Sequence, residues 1–156
     1  MPSKTHVYRP VFEWTGNTGS GTSDYRAYER SHVISAPGKA DILGSSDASF
    51  RGDAARWSPE DLFVASVSAC HKLWYLHLCA SAGVVVLAYR DEPVGTMIED
   101  ADGSGRFASI VLHPTAKVAA GSDKAKAISL HRVAHEMCFL ANSVSCPVSI
   151  EPAVIE

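Results

Sequence analysis

No stretch of this 156-residue sequence stays apolar for long. The most apolar interval, residues 62–89, is interrupted by His71, Lys72, His77 and Gly83 before it could cross a bilayer. Basic charge is scarce too. Fourteen lysines and arginines stand against 17 aspartates and glutamates, a formal charge of -3, so no basic stripe marks nucleic acid or an anionic membrane as a partner. The opening "MPSKTHVYRPVFEWTG" lacks the continuous apolar core of a secretory leader, and no interval resembles a lipidation site, so a cytoplasmic protein is expected. Internal repeats and linkers are missing, which leaves one domain over residues 1–156 as the expectation. At 46% apolar and 20% charged residues the composition is that of an ordinary globular chain. Cysteine is present: four thiols without an export signal are expected to be reduced, catalytic or metal-binding rather than a disulfide framework.

The pattern along the chain is α+β. "KTHVYRPVFEWTG" and "YRAYERSHVISAP" alternate partially around the turn residues "NTGSGTS" and predict an opening β-hairpin, with a short strand in "KADILGSS" and a loop in "SDASFRGDAARW". Ser58 as cap, Pro59, Asp61 three residues after the cap and Gly83 at the stop bound a first helix. Its length is about 24 residues, roughly 36 Å. Apolar side chains occur nearly all round it, the pattern of a helix buried on most faces. A chain this size has little protein to surround it with, so a homodimer with this helix central is expected. "VVVLAYRDEPVGTMI" and "RFASIVLHPTAKV" predict a second hairpin with its tip in "EDADGSG". A second helix starts at Ser122 or Asp123 and carries Ile128, His131, Ala134, His135, Cys138 and Ala141 at spacings of three and four. Pro147 halts it, and "CPVSIEPAVIE" returns as a final strand.

The four thiols differ by position. Cys70 and Cys79 are nine residues apart on one helix, about 180° round the axis, so they cannot pair with each other. Cys79, among small and apolar neighbours, reads as a packing residue. Cys70 sits about three turns past the cap, beyond reach of the helix terminus, so a reactive thiolate there needs a cation from elsewhere. Arg51 and Arg56, in a loop able to bend at Gly52, are the upstream candidates; each equally reads as a solvated surface arginine. Cys146 follows the second helix, where a turn leaves a thiol free to approach an oxidised Cys70, whereas Cys138 within the helix is held rigidly. Cys146 also reads as a loop cysteine with no task. His131, His135 and Cys138 share one helix face at spacings suited to zinc, nickel or copper, although "RVA" supplies no metalloprotease glutamate and packed histidines are commoner.

"SPEDLFVASVSACH", followed some seventy residues later by "NSVSCPVS", resembles the OsmC/Ohr family of osmotically inducible and organic hydroperoxide resistance proteins. "CHKLWYLHLCASAGVVVLAYRDE" and "HRVAHEMCFLANSVSCPV" look like a less characterised OsmC-like subgroup. The resemblance implies an intertwined α+β homodimer with two long central helices and a site at each end of the interface. It implies a peroxiredoxin-like hydroperoxide reductase, acting in oxidative stress defence without a cofactor. By position Cys70 looks like the peroxidatic cysteine, Cys146 like the resolving one and Glu60 like the carboxylate that holds the catalytic arginine. Arg51 is the first choice for that arginine and Arg56 the second; Cys138 is an additional possible resolving thiol. The substrate would be an organic hydroperoxide or hydrogen peroxide, and the reductant an external thiol or dithiol. Trp74 and Tyr75 would form an apolar vestibule, with helix packing as their alternative. Glu60 and Cys70 lie about 15 Å apart along the axis, so Glu60 is expected to serve the Cys70 of the partner subunit unless a long arginine bridges the gap. Two other classes stay open: metal binding through His131, His135 and Cys138, and a non-catalytic dimer that binds a small apolar ligand.

Overall fold

The first helix starts where the sequence supplies its own cap. In the computed structural model, which describes residues 2–156, the Asp61 amide donates to Ser58 Oγ at 3.1 Å and the Ser58 amide donates to Asp61 Oδ2 at 3.2 Å. This reciprocal box satisfies two amides that the first turn cannot pair. Helix α1 runs Pro59–Ser81 from it, and Gly83, at φ 74°, takes the left-handed conformation that closes it.

Packing divides the chain into two units, residues 1–62 and 63–156. In the first unit, β1 (Val11–Trp14) pairs antiparallel with β2 (His32–Ser35), and β2 with β3 (Ile42–Gly44). The expected hairpin and short strand are therefore present, but "NTGSGTS" does not join the strands tightly. Residues 15–31 make a longer excursion, pinned by an Asn17↔Tyr28 bridge and by Arg30, whose guanidinium lies 4.0 Å from the Tyr28 ring centre and donates to the carbonyls of Tyr25 and Tyr28. The expected loop at residues 46–57 holds one 3-10 turn, Ala48–Phe50, capped by Asp47.

In the second unit the expected single hairpin and final strand are each broken in two. The strands are β4 (Val86–Arg90), β5 (Val94–Glu99), β6 (Gly105–Leu112), β7 (Thr115–Val118), β8 (Val148–Ile150) and β9 (Ala153–Ile155). They form two three-stranded sheets, ordered β4-β7-β9 and β5-β6-β8, in which β8 and β9 pair parallel with β6 and β7. Each chain segment crosses between the sheets at a proline: Pro93, Pro114 and Pro152. A proline has no amide to continue the ladder, so three of them in register fold the strands at one level. Asp91 fastens that fold, its Oδ1 accepting from the His113 amide at 2.7 Å and its Oδ2 from Ser68 Oγ on α1.

Helix α2 (Lys124–Met137) begins at Asp123, whose Oδ1 accepts from the Lys126 amide at 2.9 Å. It ends one turn earlier than the spacing predicts. Cys138 is its last cap, with φ -70° and ψ 111°, and Ala141 lies in the following turn. The buried side chains Tyr75, Cys79, Val84, Ala116, Val118, Ala127, Leu130 and Ala134 make one core cluster, and Val67, Ile110 and Leu112 a second. From α1 the chain buries a single stripe spaced by four, Val67, His71, Tyr75 and Cys79, and leaves Leu73 63% exposed. The architecture is α+β, as expected. Among the described residues no helix is long and apolar enough to cross a membrane.

Candidate active site

Adjacent residues on a helix point about 100° apart, and α1 uses this to send Cys70 and His71 to different neighbours. His71 turns into the core, where its Nε2 stands 3.0 Å from Nδ1 of His131 on α2. The two rings are stacked, and Tyr75 lies flat on His131 with ring centres 3.8 Å apart. Burial lowers both imidazoles, His71 to about 4 and His131 to about 3. The Asp91 charge opposes the shift at His71, whereas His135 adds to it. Two neutral imidazoles carry two N–H groups. One makes the shared bond, and the other sits at His71 Nδ1 or His131 Nε2, both buried without a partner among the described residues.

Cys70 is half-buried. The thiol against it belongs to Cys138, itself 1% exposed. Burial and then the Cys70 neighbour push the Cys138 thiol up to about 11, with the Ala141 amide, which donates to its Sγ at 3.4 Å, working the other way. The spacing of three and four predicts Cys138 rigidly inside a helix. It is instead the cap residue, with an extended rather than helical backbone.

Cys146 sits elsewhere. Its side chain packs with Phe63 and Phe107 on the Val67, Ile110 and Leu112 cluster, and lines a cleft of about 670 Å³ together with Arg106. The carbonyl of the next residue, Pro147, accepts from the Ile110 amide at 2.9 Å. The turn is thus tied to β6 rather than loose, which corrects the mobility expected of it. Cys79 packs as expected, beside the Tyr75 hydroxyl, and burial raises its thiol.

The metal face does not assemble within this chain. His131 is engaged by His71 and Cys138 by Cys70, and among the described residues no group of three or more His, Cys, Asp and Glu side chains could hold an ion. Tyr75 is corrected as well: at 0% exposure it belongs to the core and cannot line a vestibule. Trp74 is half-buried, edge-on to Phe139 at 5.7 Å.

In the first unit Arg56 is committed to local structure, donating to the His32 carbonyl at 3.2 Å and lying 3.8 Å from Asp53. Arg51, in a left-handed conformation at φ 64°, has no ion pair or side-chain hydrogen bond among the described residues; its guanidinium lies 5.8 Å from the Tyr25 ring centre, beside a cleft of about 480 Å³. Glu60, on the first turn of α1, keeps Oε2 buried without a partner. Ser68, Asp91 and the pairing of His71 with His131 lie outside the expected site residues. "RDEP" was the available signal for Asp91, a carboxylate just before a strand-breaking proline.

The OsmC family model, described as OsmC-like protein, matches residues 52–153, and the chain belongs to that family. Among solved structures it is similar to an OsmC-like protein of unknown function from Vibrio cholerae, at 28% identity over 95% of this chain and 99% of that one, with a TM-score of 0.86. It shares its fold with an organic hydroperoxide resistance protein OsmC from Legionella pneumophila, at 16% identity, coverage of 97% and 100%, and a TM-score of 0.68. The same holds for an organic hydroperoxide resistance protein from Elizabethkingia anophelis, at 17% identity, coverage of 98% and 99%, and a TM-score of 0.67. No curated protein matches the chain in sequence.

Proposed function

We propose that this OsmC-like protein is a cysteine-based, thiol-dependent peroxidase that reduces organic hydroperoxides, and hydrogen peroxide less readily, in oxidative stress defence in the cytoplasm. The observation that carries the reading is the half-buried Cys70 thiol with a second thiol against it. One sulfur is accessible for oxidation and another is at hand to receive the product. Family membership and relatives named for organic hydroperoxide resistance support it.

The Cys70 thiolate attacks the distal oxygen of the hydroperoxide. The O–O bond breaks, the alkoxide leaves and takes up a proton, and Cys70 becomes a sulfenic acid. Condensation with a second thiol releases water and forms a disulfide, which two equivalents of an external thiol, or one of a dithiol, reduce. The unengaged guanidinium of Arg51 supports its role as the group that stabilises the thiolate and polarises the peroxide. The orphaned Glu60 oxygen supports a carboxylate that awaits a cation. The working unit is a homodimer, in which Glu60 serves the Cys70 of the partner subunit and covers the open faces of α1. Trp74 supplies the apolar side of the pocket. The test is cumene hydroperoxide consumption with dihydrolipoamide as reductant: turnover by the wild type and none by Cys70→Ser is expected, and equal rates in both would overturn the reading.

A further inference from the structure

We propose that the cleft of the first unit is a binding site for a small molecule that carries a phosphate group. The cleft lies between the 15–31 excursion and the loop after β3, wholly within residues 18–53, and has a volume of about 480 Å³. That volume suits one small organic molecule. Three guanidinium groups, from Arg26, Arg30 and Arg51, line it against two carboxylates, from Glu29 and Asp53. Asp53 already faces a cation outside the cleft, its Oδ2 lying 3.8 Å from Arg56. The balance of charge in the cleft is therefore positive, in a chain whose formal charge is -3. Such a local reversal draws an anion to this place rather than to the surface at large.

The three arginines differ in what they have left to give. Arg30 donates to the carbonyls of Tyr28 at 2.6 Å and Tyr25 at 2.7 Å and lies over both rings, so it supplies fixed charge. Arg26 and Arg51 have no ion pair or side-chain hydrogen bond among the described residues, and each offers a planar fork of donors. The cleft also presents two buried hydroxyls. Ser31, 7% exposed, has no hydrogen-bond partner for its Oγ among the described residues. Ser45, 1% exposed, accepts the Asp53 amide at 3.1 Å, which leaves its O–H free to donate. A buried hydroxyl without a partner is costly, and a ligand oxygen removes that cost. Donors from this many separate residues suit the three tetrahedrally placed oxygens of a phosphate monoester better than the two coplanar oxygens of a carboxylate. The wall that carries them is braced beforehand. Thr18 Oγ donates to the Ala27 carbonyl at 2.6 Å, and Asn17 Oδ1 accepts from the amides of Gly19 and Gly21 at 3.0 Å. A braced site spends less of its binding energy on ordering itself. Arg51 is shared with the peroxide chemistry proposed above, but binding is measured without peroxide, so the two readings stand or fall separately.

The experiment is a two-dimensional amide NMR titration of the whole reduced protein with phenyl phosphate, in a phosphate-free buffer. Saturable shifts are expected at the amides of Ala27, Ser31, Ser45 and Gly52, which line the cleft. Arg26→Ala changes an exposed side chain and should weaken binding by about 10-fold or more, the scale of one lost hydrogen bond to a charged group. Ser31→Ala leaves every charge in place and should weaken it by about 5-fold, the scale of one neutral donor. Arg132→Ala removes the same charge from α2, where Arg132 pairs with Glu136 at 2.6 Å, and should leave the affinity unchanged. Benzoate, with a like ring and a planar carboxylate, should bind at least about 10-fold more weakly. Shifts that are absent or scattered over the surface would overturn the proposal, as would unaltered affinity in both cleft variants. An equal loss in Arg132→Ala would reduce the site to general charge attraction, and benzoate binding as tightly would remove the phosphate; either result also overturns it.

Discussion

Nε2 of His71 and Nδ1 of His131 stand 3.0 Å apart, a polar link between α1 and α2 beside the buried side chains of Tyr75, Cys79, Leu130 and Ala134. Both rings are held neutral by burial, His71 to about 4 and His131 to about 3, against an unfolded value of 6.5. Below that value the unfolded chain binds protons that the folded chain refuses, so acid favours unfolding. The stability these groups lend is fully present above pH 6.5 and declines as pH falls, down to about 4 for His71 and about 3 for His131. The slope is at most ~1.4 kcal/mol per pH unit for each histidine. Urea midpoints measured from pH 7.5 to 5 should fall steadily; a flat profile would show that the pair is solvated.

Asp91 acts on that pair from across the sheet fold, since its charge raises His71 while burial lowers it. Asp91→Asn should therefore lower the His71 titration further, a shift that NMR of the ring protons reads directly. The same change weakens the bonds to the His113 amide and to Ser68. A loss of about 1.5–3 kcal/mol is expected for a charged hydrogen bond of this kind. Unaltered His71 titration would contradict the electrostatic link.

The cap of α1 predicts a purely local effect. Ser58→Ala removes the acceptor for the Asp61 amide and should cost about 1 kcal/mol by denaturant unfolding. The single-turnover oxidation of Cys70, about three turns away, should be unchanged.

The two arginines separate by readout. Arg51→Lys keeps the charge but loses the planar fork, and should reduce kcat/KM for cumene hydroperoxide by about 10²-fold, the scale of one lost donor to a developing anion. Arg56→Lys disturbs the bond to the His32 carbonyl, so its main effect should be a lowered unfolding midpoint. The reverse pattern would exchange the two assignments.

What could be read in advance was whatever neighbouring residues determine. Ser58, Pro59, Asp61 and Gly83 bound α1 because caps are local chemistry, and the result is a helix of the expected length. The folding of each strand at Pro93, Pro114 and Pro152 was not legible, because a proline marks a break without saying what pairs on either side. The thiols failed for a related reason. A spacing of three and four carried α2 on to Ala141, but the helix stops at Met137, and that change of one turn turns Cys138 from a rigid helical residue into the neighbour of Cys70. Tyr75 followed Trp74 in the sequence yet lies one helical step round the axis, in the core rather than in the pocket.

The central claim is that Cys70 gives its electrons to a hydroperoxide. Anaerobic titration with cumene hydroperoxide, counting free thiols and residual peroxide without reductant, tests it most directly. The account predicts two thiols lost for each peroxide consumed in the wild type and none lost in Cys70→Ser. Thiol loss that persists in Cys70→Ser, or a wild type that leaves the peroxide intact, would contradict it.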